Sequence, residues 1–239
     1  MITIETNQYL PKPTILTSGP NGVGAADIKD PAIPLGVLIG HINLNPEDQI
    51  ELLWGNNPEP VVYYTHSSDA PEQDIFVTLY VDTQWIKSEQ TPVPVSYRYI
   101  PFPGGAPQDS DITHIRVKLE APGGIDIDPA TPYENEALRP PRVQPPAVIV
   151  DPQGVRVIVT PYEQMSEGDR IRVSWAESTV DHPPLTAAEA GMEVVIPIPP
   201  QIIEAVGDSS KLPVRYEVHD VVGNWSKRSP ATEVVVSIG

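Results

Sequence analysis

Proline occurs thirty times in this chain of 239 residues. Each proline fixes φ near −65° and removes a backbone donor, so it breaks a helix interior but is tolerated at strand edges, in turns and in linkers. Spread along the whole length, the prolines leave almost no room for a long helix, and the expected fold class is all-β. The apolar residues agree. They make up 40% of the chain and are mostly Val, Ile and Leu in short runs. That is enough for real cores, and no stretch approaches the roughly 18–20 residues of a membrane-spanning helix.

The chain matches itself in four blocks taken in order. DQIELLW at 48–54 pairs with DRIRVSW at 169–175, IFVTLYV at 75–81 with MEVVIPI at 192–198, VPVSYRY at 93–99 with LPVRYEV at 212–218, and THIRVKL at 113–119 with TEVVVSI at 232–238. Within each block apolar residues alternate with period two, the mark of a strand with one buried face. The predicted core of the first copy is Ile50, Leu52, Trp54, Val77, Leu79, Val81, Val95, Tyr97, Tyr99, Ile115, Val117 and Leu119. Its counterparts are Ile171, Val173, Trp175, Val194, Ile196, Ile198, Val214, Tyr216, Val218, Val234, Val236 and Ile238.

Further strands are expected at 35–41, 61–65, 147–150 and 155–160, and short helical turns at 184–192 and 199–208. Many short strands separated by turn residues read as a β-sandwich. The predicted organisation is an N-terminal extension (1–9), a first immunoglobulin-like sandwich (10–120), an acidic, proline-rich linker (121–144) and a second sandwich (145–239). Residues 20–30 have no counterpart in the second copy and are expected to be a loop insertion.

The run Tyr216-x-Val218-x-Asp220-x-x-Gly223-Asn224-x-Ser226 resembles the penultimate-strand signature of bacterial immunoglobulin-like repeats. In the first copy Pro101 and Gly105 replace Asp220 and Asn224, although Tyr97, Gly104 and Ser110 keep step with Tyr216, Gly223 and Ser229. The resemblance implies tandem sandwiches of the kind found in surface adhesins and exported proteins, hence a cell-surface or secreted setting. It also implies a spacer or adhesion function without enzymatic activity. Residues 1–16 show no signal peptide, which leaves a cytoplasmic protein, a fragment, or export by another route. The Asp220 and Asn224 side chains suit a turn that needs local backbone hydrogen bonds.

The chain lacks cysteine, which excludes disulfides, thiolate metal sites and cysteine nucleophiles. A formal charge of −17, with only 15 dispersed Lys and Arg, argues against nucleic acid as a partner. Phosphate-loop, dinucleotide, nucleophile-elbow and HExxH patterns are missing, and the expectation is that the protein is not an enzyme. Glu47–Asp48 and Glu167 with Asp169 precede equivalent strands and read as edge-protecting charges.

Two candidate sites emerge. Asp126 and Asp128, alternating in GIDIDPA, present two carboxylates for calcium; no other cofactor is implied. Leu53, Phe76 and Tyr80 face outward in the first copy, where the second has Ser174, Glu193 and Pro197. On neighbouring strands they would form a patch for a protein or a sugar ring. His114, Arg116 and Lys118 add a basic stripe. The expected partner is a protein or carbohydrate at a cell surface, without membrane insertion, the chain being a monomer or part of a longer repeat array. Accessory domains of a larger toxin or enzyme are the remaining alternative.

Overall fold

A computed structural model of the protein describes residues 10–19, 21–128, 130–145 and 148–238. The predicted extension at 1–9 lies outside the described residues. The chain divides into two compact units, Met1–Leu119 and Glu120–Gly239, and each is an immunoglobulin-like β-sandwich. Among the described residues no helix is long and apolar enough to cross a membrane.

The strands of the first unit are β1 (Thr14–Ile15), β2 (Gly22–Val23), β3 (Leu35–Leu44), β4 (Gln49–Trp54), β5 (Val62–Thr65), β6 (Gln73–Val81), β7 (Val93–Ile100), β8 (Gln108–Asp109) and β9 (Thr113–Val117). One sheet runs β1-β3-β6. The facing sheet runs β2-β9-β7-β4-β5, with β8 paired to β7. The second unit repeats this with β10 (Arg142–Gln144), β11 (Val148–Ile149), β12 (Arg156–Val159), β13 (Arg170–Trp175), β14 (Ser178–Asp181), β15 (Val194–Pro197), β16 (Ser209–His219), β17 (Trp225–Arg228) and β18 (Thr232–Val236). Its sheets run β10-β12-β15 and β11-β18-β16-β13-β14, with β17 paired to β16. All pairings are antiparallel except β2 with β9 and β11 with β18, so in each unit the first two strands divide between the two sheets.

Period-two alternation explains the cores. Every predicted inward residue is buried except Ile115, Leu119 and Ile238, which are half-buried against the same clusters. The strands expected at 35–41, 61–65, 147–150 and 155–160 are β3, β5, β11 and β12. Residues 199–208 contain helix α1 (Pro200–Val206), which starts on proline, ends at Gly207 with φ +71° and buries Ile203. Residues 184–192 make only a single turn, closed by the Ala190 amide on the Thr186 carbonyl at 3.2 Å.

Two expectations need correction. Residues 20–30 are not merely an insertion: β2 lies within them, and fully buried Val23 pairs with Val117 as Ile149 pairs with Val236. Residues 121–144 are not an extended linker but part of the second sandwich. Leu138 is buried, and Asn135 donates from its side-chain amide to the Ser226 carbonyl at 3.2 Å. Arg215 holds Glu134, and β10 forms the edge of a sheet. Proline content alone could not distinguish a free segment from one packed against a sheet.

Candidate functional site

The corner that carries the family-like signature is built from its own carboxylate. Asp220 Oδ1 accepts the backbone amides of Val222 and Asn224 at 3.0 and 2.9 Å, and its Oδ2 accepts the Asn224 side-chain amide at 2.9 Å. Gly223, with φ +97°, closes the turn. Downstream, Ser226 and Ser229 accept the Val218 and Tyr216 amides at 2.8 and 3.1 Å. In the first copy Ser110 accepts the Tyr97 amide at 3.0 Å, the same bond across the same separation. With proline in place of the aspartate, the first corner relies on Asp48, which accepts the Phe102 amide at 2.8 Å and the Tyr99 hydroxyl at 2.6 Å. Burial, with the Asp48 bond and charge adding to it, pushes the Tyr99 phenol well above its ordinary pKa.

Asp48 and Asp169 are therefore not the edge-protecting charges expected. Both are fully buried. Each ties the turn before its strand, Asp48 through the Asn45 amide at 2.7 Å and Asp169 through the Ser166 amide at 3.0 Å. Asp169 also accepts the Tyr162 hydroxyl at 2.9 Å. A buried carboxylate is retained where donors converge on it, and these two work as structural staples.

At the candidate calcium residues, Lys227 Nζ lies 2.5 Å from Asp126 Oδ2. This lysine bond, foremost among the causes, holds the Asp126 carboxyl below the ordinary aspartate range. Asp128 Oδ1 instead accepts the Ala130 amide at 3.0 Å, a local turn. Among the described residues no group of three or more His, Cys, Asp or Glu side chains is arranged to hold a metal ion.

The apolar trio does not share a surface. Leu53 is on β4 and only half-exposed, whereas Phe76 and Tyr80 are on β6, in the other sheet. The outer faces of a sandwich's two sheets point in opposite directions, so Leu53 belongs with Glu51 and the basic residues of β9. There Arg98 bonds Asp109 at 2.9 Å, and Glu51 lies 3.8 Å from it. Arg98 is not part of the predicted basic stripe, whose His114 stands opposite Pro94 of β7.

Phe76 and Tyr80 do share one face, 57% and 60% exposed. Tyr80 sits opposite Gly36 of β3, across which Leu16 lies. An irregularity between Ile39 and Ile42 turns His41 outward, its ring 4.2 Å from that of Phe76 and its Nδ1 3.2 Å from Asp74. Leu16, Phe76 and Tyr80 thus form an apolar surface on a small sheet, and β6 is that sheet's edge strand. The corresponding place in the second unit has Glu193, ion-paired to Arg142 at 2.6 Å, and Pro197.

Sequence reasoning missed a cavity of about 300 Å³ at one end of the first sandwich, where Trp54 and Trp85 meet Asn56, Asn57, Lys87 and Glu89. The usable signal was the connection between β6 and β7, which carries an extra tryptophan where the second copy carries α1.

No family model matches the chain, and no curated protein matches it in sequence. Similar solved structures include the human OSCAR ligand-binding domain, 12% identical with a TM-score of 0.40, the match covering 95% of this chain and 100% of that one. A bacterial ice-binding adhesin of 1.5 MDa is similar at 14% identity and a TM-score of 0.37, over 96% of this chain and 66% of that one. A domain of Intimin is similar at 10% identity and a TM-score of 0.25, over 95% and 98%. Likeness at this level carries no functional information.

Proposed function

We propose that this chain is a non-enzymatic adhesion segment of a bacterial surface or secreted protein. Its first sandwich contacts a partner protein through the outer face and edge of the β1-β3-β6 sheet, and its second sandwich acts as a spacer. The observation that carries the reading is the difference between the two copies. Phe76 and Tyr80 are exposed where the second copy has the ion-paired Glu193 and Pro197. Exposed aromatic side chains clustered on one face are what interfaces use as anchors. An edge strand of nine residues without proline, QDIFVTLYV, offers its backbone to an added strand. That feature favours a protein over a sugar, which has no use for a strand edge. The bacterial and surface setting rests on the resemblance carried by Tyr216–Ser226.

The test is binding of the full chain to arrays of cell-surface proteins and glycans, beside a folded Phe76→Ser/Tyr80→Ser variant. Saturable binding to a protein that the variant loses supports the reading. Binding that the variant retains removes this face from it.

A further inference from the structure

We propose that the cavity at the end of the first sandwich is a binding site for a neutral saccharide, separate from the sheet face that contacts a partner protein. The cavity, of about 300 Å³ and open to solvent on one side, is lined by Trp54, the β4–β5 turn and residues between Trp85 and Pro94. That size falls at the lower end of small-ligand pockets, about 300–1,000 Å³.

The repeat supplies an internal control. In the second unit the connection between β15 and β16 forms α1, which buries Ile203 in the core that holds Trp175, itself fully buried. In the first unit the same connection is a single 3-10 turn, Thr83–Trp85, capped by Asp82 through the Gln84 amide at 3.0 Å. Ile86 fills the core, but Trp85 is left 42% exposed at the wall of the cavity. Trp54, the counterpart of Trp175, lines the cavity as well.

The rim is held in place before any ligand arrives. The Glu89 amide donates to the Val117 carbonyl at 3.2 Å, and the Leu119 amide donates to Ser88 Oγ at 2.8 Å, fixing the segment 86–89 to the end of β9. Preformed walls reduce the ordering cost of binding.

The lining chemistry selects the ligand class. The exposed indole of Trp85 gives a flat apolar face for the C–H side of a pyranose ring, while Trp54, only 4% exposed, contributes the little surface that the core leaves uncovered. Asn56 and Asn57 supply amide donors and acceptors, Lys87 donates and Glu89 accepts. The side chains of these four make no hydrogen bond or ion pair to another described residue, so their polar groups are open to a ligand. One positive and one negative charge cancel, and the −17 charge of the whole chain repels anions. What remains is a polyhydroxylated, uncharged ring.

The experiment is an NMR titration of the full chain with glucose, galactose and N-acetylglucosamine up to tens of millimolar, with free glycine and glutamate as charged comparators. It follows the indole N–H signals of all four tryptophans. At least one sugar is expected to shift the Trp54 and Trp85 signals saturably while Trp175 and Trp225 stay still. Trp85→Ala, which removes an exposed side chain, is expected to raise the Kd about tenfold or more, and Asn57→Ala to weaken binding without altering the fold. Indole signals that do not respond to any sugar would overturn the proposal. So would shifts that survive both variants, or a response to the charged comparators alone.

Discussion

At the scale of single residues, the buried polar groups give sharp expectations. The Tyr216 hydroxyl is buried without a hydrogen-bond partner among the described residues, and burial pushes its pKa up. An unpaired buried hydroxyl costs about 1–3 kcal/mol, so Tyr216→Phe should raise stability by about 1 kcal/mol in urea unfolding. Ser229→Ala should do the reverse, lowering stability by about 1–3 kcal/mol, because it strands the Tyr216 amide. Glu47 sits at φ +67° where the second copy has Gly168 at φ +88°. Glu47→Gly should therefore stabilise the first unit by up to about 1 kcal/mol. Asp126 and Lys227 give a pH signature. The lowered Asp126 pKa means that the stabilisation is present above the unfolded-state value near pH 4 and is lost as pH falls through the folded value. The stability gap between the wild type and Lys227→Met should thus close as the solution is acidified. With the lysine ammonium already on the carboxylate, adding calcium or a chelator should leave the unfolding temperature of the wild type unchanged.

At the scale of elements, the strands were legible because alternation is a direct record of which side faces a core, and Ile50-x-Leu52-x-Trp54 could not pack otherwise. The corner was legible in part. The matched Tyr and Ser reported a real hydrogen bond, but nothing local revealed that Asp48 would substitute for the missing corner aspartate from another strand. Which strands share a sheet is not legible either, because outward alternation alone groups Leu53 with Phe76 and Tyr80 although β4 and β6 lie in different sheets. Outward orientation is a property of one strand, whereas a surface is a property of sheet order. The segment 121–144 failed for a related reason: its anchors, Leu138 and Asn135, are single residues without periodicity. Its packing has a test. Gly123 has φ +91°, and a Cβ there would come within 2.5 Å of Leu138 Cδ2. Gly123→Ala and Leu138→Ala should each destabilise the second unit by about 2–5 kcal/mol, and limited proteolysis should then cut between 121 and 141, a stretch expected to resist cleavage in the wild type.

At the scale of the whole molecule, the two copies share a scaffold and differ at their surfaces. The second sandwich covers its corresponding positions with an ion pair, a proline and a helix. The first leaves two aromatic residues on a sheet face and two tryptophans around a cavity. A duplicated fold conserves what holds it together, namely the buried Asp48 and Asp169, the Ser110 and Ser229 bonds and the alternating cores, while each outer surface is free to specialise. These differences support the proposal that recognition belongs to the first unit and spacing to the second. The most direct measurement is surface plasmon resonance of the full chain against surface proteins that it binds on the array, comparing wild type with Phe76→Ser/Tyr80→Ser and with Val195→Ser, an exposed change on the equivalent sheet of the second unit. Binding is expected to be lost in the first variant and unchanged in the second; binding lost only through Val195→Ser would contradict the proposal.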